Sequence, residues 1–118
     1  MASGFDRLDE FEVSAEQAVQ ESGDGVLLLD VRERDEWDRG HAPAAVLIPM
    51  SELGNRLDEL PLEDRILVVC HVGQRSSMVA SGLRRMGYET VSVAGGMVAW
   101  DQAGGVIESD GPEPARVD

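Results

Sequence analysis

Ile66-Leu67-Val68-Val69-Cys70-His71-Val72-Gly73-Gln74-Arg75-Ser76-Ser77 is the stretch on which the fold turns. Four consecutive aliphatic residues read as a strand buried on both faces, as in the interior of a parallel sheet. Gly73 lets the chain bend after that run. Val79, Leu83 and Met86 then recur at helical spacing, which predicts a loop and a helix over Gly73 to Met86 with those three residues facing inward. A strand running straight into a helix is half of a β-α-β unit, and the only cysteine of the chain sits at the junction.

The same alternation extends outward in both directions. Upstream, Val26 to Asp30 is a second apolar run, set off by the turn residues Ser22-Gly23-Asp24-Gly25. Arg34 to Arg39, with Trp37 inside it, suits a short helix stopped by Gly40. Val46-Leu47-Ile48 is a short strand closed by Pro49, and Leu53, Leu57 and Leu60 predict an amphipathic helix over 51–60. Earlier still, Phe11-Glu12-Val13 is a strand candidate, and Ser14 reads as the N-cap, with Gln17 three residues on, of a helix to about Glu21. Downstream, Thr90 to Val93 is a last strand, and Gly95-Gly96 turns into a short helix around Met97 to Ala103. From Glu108 the chain is polar and carries Pro112 and Pro114, which predicts a disordered tail over 108–118 behind one domain over 1–107. Alternating strands and helices predict an α/β fold with a mainly parallel sheet.

Bulk properties narrow the function classes. The 118 residues are 42% hydrophobic and 28% charged, ordinary for one soluble domain. The apolar runs are strand-sized, far short of the ~20 residues that span a bilayer. Met1-Ala2-Ser3-Gly4-Phe5-Asp6 lacks the basic-then-apolar profile of an export signal, so a cytoplasmic protein is expected. All ten basic residues are Arg, and the net charge is -13. So acidic a chain excludes nucleic acid and anionic membrane surfaces as partners. A single cysteine excludes an internal disulfide and a Cys-x-x-Cys redox pair, and with only His41 and His71 beside it no metal site is expected. No cofactor is expected either.

Cys70 at the end of a buried parallel strand would lie in the crevice where such sheets bind ligands. Backbone N–H groups of a curled loop and of the helix start can converge there on an anion, and Arg75 adds a positive charge and a planar fork of donors. That setting favours thiolate over thiol. A lone cysteine at a strand end is more often a small buried hydrophobe than a nucleophile; Gly73 and Arg75 are what argue for chemistry. His71 follows the thiol directly, where a lining role suits it better than proton transfer. His41 reads as a structural hydrogen-bonding residue, Trp37 and Trp100 as packing residues.

Four ordered motifs resemble the rhodanese family of sulfurtransferases. They are Leu29-Asp30-Val31-Arg32 with Glu36-Trp37; Gly40-His41-Ala42-Pro43-Ala44-Ala45 with Ile48-Pro49; Cys70-x-x-Gly73-x-Arg75-Ser76; and Gly87-Tyr88, Val91, Gly95-Gly96-Met97-x-x-Trp100 and Gly104. The match covers roughly residues 11 to 107. It departs at Ala42-Pro43-Ala44-Ala45, where the family more often has a larger aliphatic residue and a glycine.

The resemblance implies a three-layer α/β/α fold around a five-stranded, mostly parallel sheet. It implies that Cys70 accepts sulfur as a persulfide, that His71, Val72, Gly73, Gln74, Arg75 and Ser76 form the substrate-binding loop, and that Arg75 orients a small anionic donor such as thiosulfate. Asp30 and Arg32 would support the loop from behind. The acceptor would be a small thiol, a thioredoxin-like protein or a biosynthetic protein, with cyanide as an assay acceptor. Two other functions belong to the same fold group: a Cys-dependent phosphatase or arsenate reductase, and a non-catalytic binding module. The four residues between Cys70 and Arg75 make a loop one residue shorter than the phosphatases use. The presence of both Cys70 and Arg75 speaks against a pure scaffold.

Overall fold

A computed structural model describes residues 11–23 and 25–118; Asp24 of the expected turn and residues 1–10 lie outside the described residues. Five strands form one sheet: β1 (Glu12–Val13), β2 (Leu27–Asp30), β3 (Val46–Leu47), β4 (Ile66–Val69) and β5 (Thr90–Val93). Their spatial order is β1-β5-β4-β2-β3, and every pairing is parallel. Among the described residues four α-helices lie between the strands, α1 (Ala15–Glu21), α2 (Arg34–Arg39), α3 (Met50–Leu53) and α4 (Gln74–Arg85), and α5 (Gly96–Gln102) follows β5. Ser14 caps α1 as its sequence predicts, its hydroxyl accepting from the Gln17 N–H at 3.1 Å. None of these helices is long and apolar enough to cross a membrane.

Strand periodicity sorts the core into two layers. Leu28, Leu67, Val69, Val91 and Val93 face one side, where Ala15 and Ala18 of α1 and Met97 and Trp100 of α5 cover them. Leu29, Val31, Ile66, Val68 and Cys70 face the other, under Leu53, Val79, Ala80 and Leu83. Two expectations need correction on this second side. The helix over 51–60 is broken into α3 and a 3-10 turn at Leu57–Glu59, with i to i+3 bonds such as Arg56 N–H to the Leu53 carbonyl. Gly54 and Asn55 are weak helix formers at the break, and Leu53 and Leu60 stay buried regardless. Met86 lies just past the end of α4 and is 53% exposed; Tyr88 packs against that core.

Residues 108–118 form no helix or extended strand. The segment returns along α2, where the Asp110 and Arg116 N–H groups donate to the carbonyls of Asp38 and Arg39. A helix C-terminus leaves such carbonyls without intrahelical partners, and this segment supplies them. Glu108 and His41 exchange backbone bonds, Trp37 Nε1 donates to Asp110, and Val117 packs against the core.

The chain leaves β2 for β3 on one side and β4 for β5 on the other. The crevice between the C-terminal ends of β2 and β4 is therefore the switch point of the sheet. Cys70 follows β4 there, and Arg32 follows β2. Arg32 is wholly buried. Its Nη2 lies 2.8 Å from Asp30 Oδ2 and also donates to the Gly40 carbonyl at 2.8 Å, while Nε donates to Asp30 Oδ1 at 3.0 Å. The pair ties the end of β2 to the end of α2. Arg32→Ala leaves the Asp30 carboxylate buried without its partner, and a loss of about 3–5 kcal/mol in unfolding free energy is expected from chemical denaturation. A loss below about 1 kcal/mol would show that the pair is not holding these elements together.

Candidate active site

Cys70 is 1% exposed, and the loop after it curls so that its backbone points back at the sulfur. The Gly73 N–H donates to Sγ at 3.1 Å and the Ser76 N–H at 3.3 Å. Gly73 makes this possible by adopting φ 114°, a left-handed conformation that side chains disfavour, immediately before α4. Two amides aimed at one sulfur, the second in the first turn of a helix, form a nest that stabilises negative charge on that atom.

Hydroxyls complete the setting. Ser76 is fully buried, with Oγ 3.4 Å from Sγ and 2.7 Å from Ser92 Oγ. Ser92 lies on β5, opposite Val68 of β4, on the face that also carries Cys70. The sequence holds a trace of this: in Thr90-Val91-Ser92-Val93 the polar residues alternate with valines, so both polar side chains face α4. The outer wall of the loop is set by α5. Its Met97 N–H donates to the Cys70 carbonyl at 2.7 Å and its Val98 N–H to the His71 carbonyl at 3.2 Å. A side chain on Gly96 would collide with those two carbonyls, so glycine is what lets the helix start so close.

Arg75 is placed differently from a free cation. Its Nη1 and Nη2 donate to Glu36 Oε1 and Oε2 at 2.7 and 2.9 Å, a two-pronged pair across 39 residues of sequence. The Arg75 guanidinium holds the Glu36 carboxyl down at about 2. Glu36 raises the Arg75 pKa in return, and the Cys70 sulfur adds to that shift. Glu36 Oε1 also accepts from the Glu33 N–H at 3.0 Å, closing the capping box that starts α2.

Of the residues expected at the site, Cys70, Gly73 and Ser76 meet at the sulfur. Val72 and Gln74 are exposed at the mouth, and His71 is half-buried with Nδ1 making no hydrogen bond. Asp30 and Arg32 make no hydrogen bond to the loop. Arg32 instead bonds the Gly40 carbonyl at the end of α2, the helix that carries Glu36. Glu36 and Ser92 are the two contributors for which sequence spacing assigned no role. His41 is structural, stacked on Trp37 at 3.7 Å between ring centroids with Nδ1 2.8 Å from the Trp37 carbonyl. Among the described residues no group of His, Cys, Asp and Glu is placed to hold a metal.

Comparison with known proteins bears on this arrangement at three points. The family model for the rhodanese-like domain matches residues 14–103. A Bacillus subtilis protein provisionally named sulfur carrier protein YrkF is 38% identical over 92 residues, covering 75% of this chain and 50% of that one. This chain thus spans half the length of that relative. A protein of Allochromatium vinosum named sulfurtransferase is 32% identical over 96 residues, covering 79% of this chain and 90% of that one. The solution structure of the rhodanese-like domain of the Anabaena protein Alr3790 superposes with a TM-score of 0.77 at 28% identity, covering 93% of this chain and 89% of that one. With the family model spanning β2 to β5 and the Cys70 loop, the chain belongs to the rhodanese-like domain family.

Proposed function

We propose that this protein is a sulfurtransferase of the rhodanese type, with Cys70 as its sulfur carrier. The observation that carries the reading is the convergence of the Gly73 and Ser76 N–H groups on the sulfur of the chain's only cysteine. The names of the relatives, sulfur carrier and sulfurtransferase, support the same chemistry.

In the first half-reaction the Cys70 thiolate attacks the outer sulfur of a donor such as thiosulfate. A bond forms between the two sulfurs, the donor's own S–S bond breaks, and its electron pair leaves on sulfite. The terminal sulfur of the resulting persulfide carries the negative charge, and the same nest of amides is suited to it. In the second half-reaction the thiolate of a small thiol, a thioredoxin-like protein or a biosynthetic acceptor takes that sulfur and returns Cys70 as thiolate. Cyanide serves as an assay acceptor. His71, Val72 and Gln74 line the mouth through which donor and acceptor approach. Arg75 offsets the Glu36 carboxylate at the edge of the site, so an anionic donor does not meet that charge unpaired. A phosphatase of this fold group would need a loop long enough to seat a whole phosphate group, whereas only four residues separate Cys70 from Arg75 here.

Cys70→Ser keeps the size of the side chain and removes the nucleophile, so thiosulfate:cyanide turnover is expected to vanish while the circular dichroism spectrum is retained. Turnover of the variant near the wild-type level would contradict the assignment, as would Cys70-dependent release of phosphate from an aryl phosphate without sulfur transfer. Arg75→Ala is expected to lower kcat/KM for thiosulfate by about one to two decades, because losing a charge-assisted pair worth roughly 1.5–3 kcal/mol leaves the Glu36 carboxylate facing the incoming dianion. Arg75→Lys should recover little of it, because a lysine cannot reproduce the planar fork on Glu36. Thiosulfate kinetics unchanged in Arg75→Ala would remove the arginine from the site.

A further inference from the structure

The cation beside the thiol is already occupied. Each terminal nitrogen of Arg75 gives one N–H to the Glu36 carboxylate, which neutralises its charge, and the pair is partly shielded, with side chains 34% and 17% exposed. Glu36 is ionised at any neutral pH, its carboxyl held at about 2. The next pair inward, Asp30 with Arg32, also cancels itself. Counting these four groups with a Cys70 thiolate leaves the neighbourhood of the sulfur at one net negative charge. The open crevice outside the loop is lined by Glu12, Val72, Gly73, Gln74, Ser77 and Met78, with no arginine among them.

We propose that Glu36 is a specificity-determining residue that screens Arg75 and so tunes the site toward singly charged sulfane donors and against the thiosulfate dianion. The inference rests on the sulfur-transfer reading above and sharpens its donor class. Its physical basis is that a Coulomb term scales with the product of the charges, so doubling the charge of the donor doubles its repulsion from the site. Organic persulfides and thiosulfonates carry one charge next to an apolar group. The exposed side chains of Val72 and Met78, 52% and 64% accessible at the rim, offer such a group an apolar surface that a sulfonate would not use. Glu36 does this through Arg75 and does not itself touch the reacting sulfur.

The test compares thiosulfate with an organic thiosulfonate. In both, the Cys70 thiolate bonds to the outer sulfur while the S–S bond breaks; the electron pair leaves on sulfite in the first and on sulfinate in the second. Each kcat/KM is divided by that donor's rate constant with a small free thiol, which removes intrinsic reactivity. In the wild-type protein the corrected ratio is expected to favour the thiosulfonate by about tenfold, equivalent to ~1.4 kcal/mol. Glu36→Gln should bring the ratio close to one by raising thiosulfate efficiency, and Glu36→Asp, which keeps the charge, should restore the preference. A merely structural role in the capping box would lower both donors together and leave the ratio unmoved, which would overturn the proposal. A wild-type ratio at or below one overturns it too, whether or not the Gln variant folds. No turnover with either donor would overturn sulfur transfer itself, and the donor preference with it.

Discussion

Arg32 has no solvent exposure and yet is charged, so the protein around it must supply every interaction that water would have made. Asp30 supplies the counter-charge and the Gly40 carbonyl takes a further N–H. Because those partners lie at the end of β2 and the end of α2, satisfying one buried guanidinium fixes where that helix sits over the sheet. α2 in turn carries Glu36, Glu36 grips Arg75, and Arg75 belongs to the first turn of α4, whose Ser76 amide faces the sulfur. The reactive loop is thus braced from the neighbouring strand through two successive ion pairs, the inner one dry and the outer one partly exposed.

A second constraint comes from the sheet. Cys70 has the parity of Ile66 and Val68, which turns its side chain toward α4. Shifting the strand by one residue would point the thiol at α1 and α5 and away from the Ser76 and Gly73 amides. The register with β5 also brings Ser92 to the same face, where its hydroxyl holds that of Ser76 at 2.7 Å. Packing, register and loop curvature therefore agree on one position for the sulfur, facing the two amides.

Much of this was legible in the residues themselves. The aliphatic run before Cys70, the glycine after it and the Val79 and Leu83 spacing are local signals, and they located β4, the loop and α4. Ser14 with Gln17 located the start of α1. What sequence could not resolve depended on partners distant along the chain. Glu36 meets Arg75 across 39 residues, and although Glu36-Trp37 belongs to a family motif, no local spacing says that its carboxylate faces the loop. The segment 108–118 is polar and proline-bearing, yet it is held by the bare carbonyls of a helix end, which exist only once α2 has formed. Leu53, Leu57 and Leu60 kept their helical look, but Gly54 and Asn55 divided the helix between them.

The central claim is that the Cys70 sulfur, held by two amides, accepts and releases a single sulfur atom. Intact mass spectrometry of the wild-type protein tests it most directly, after treatment with a sulfane donor and again after addition of a small thiol. The account predicts a gain equal to one sulfur atom, confined to the peptide bearing Cys70, and complete return to the starting mass with the thiol. A protein whose mass stays unchanged with both thiosulfate and a thiosulfonate, while Cys70 remains open to alkylation, would contradict it.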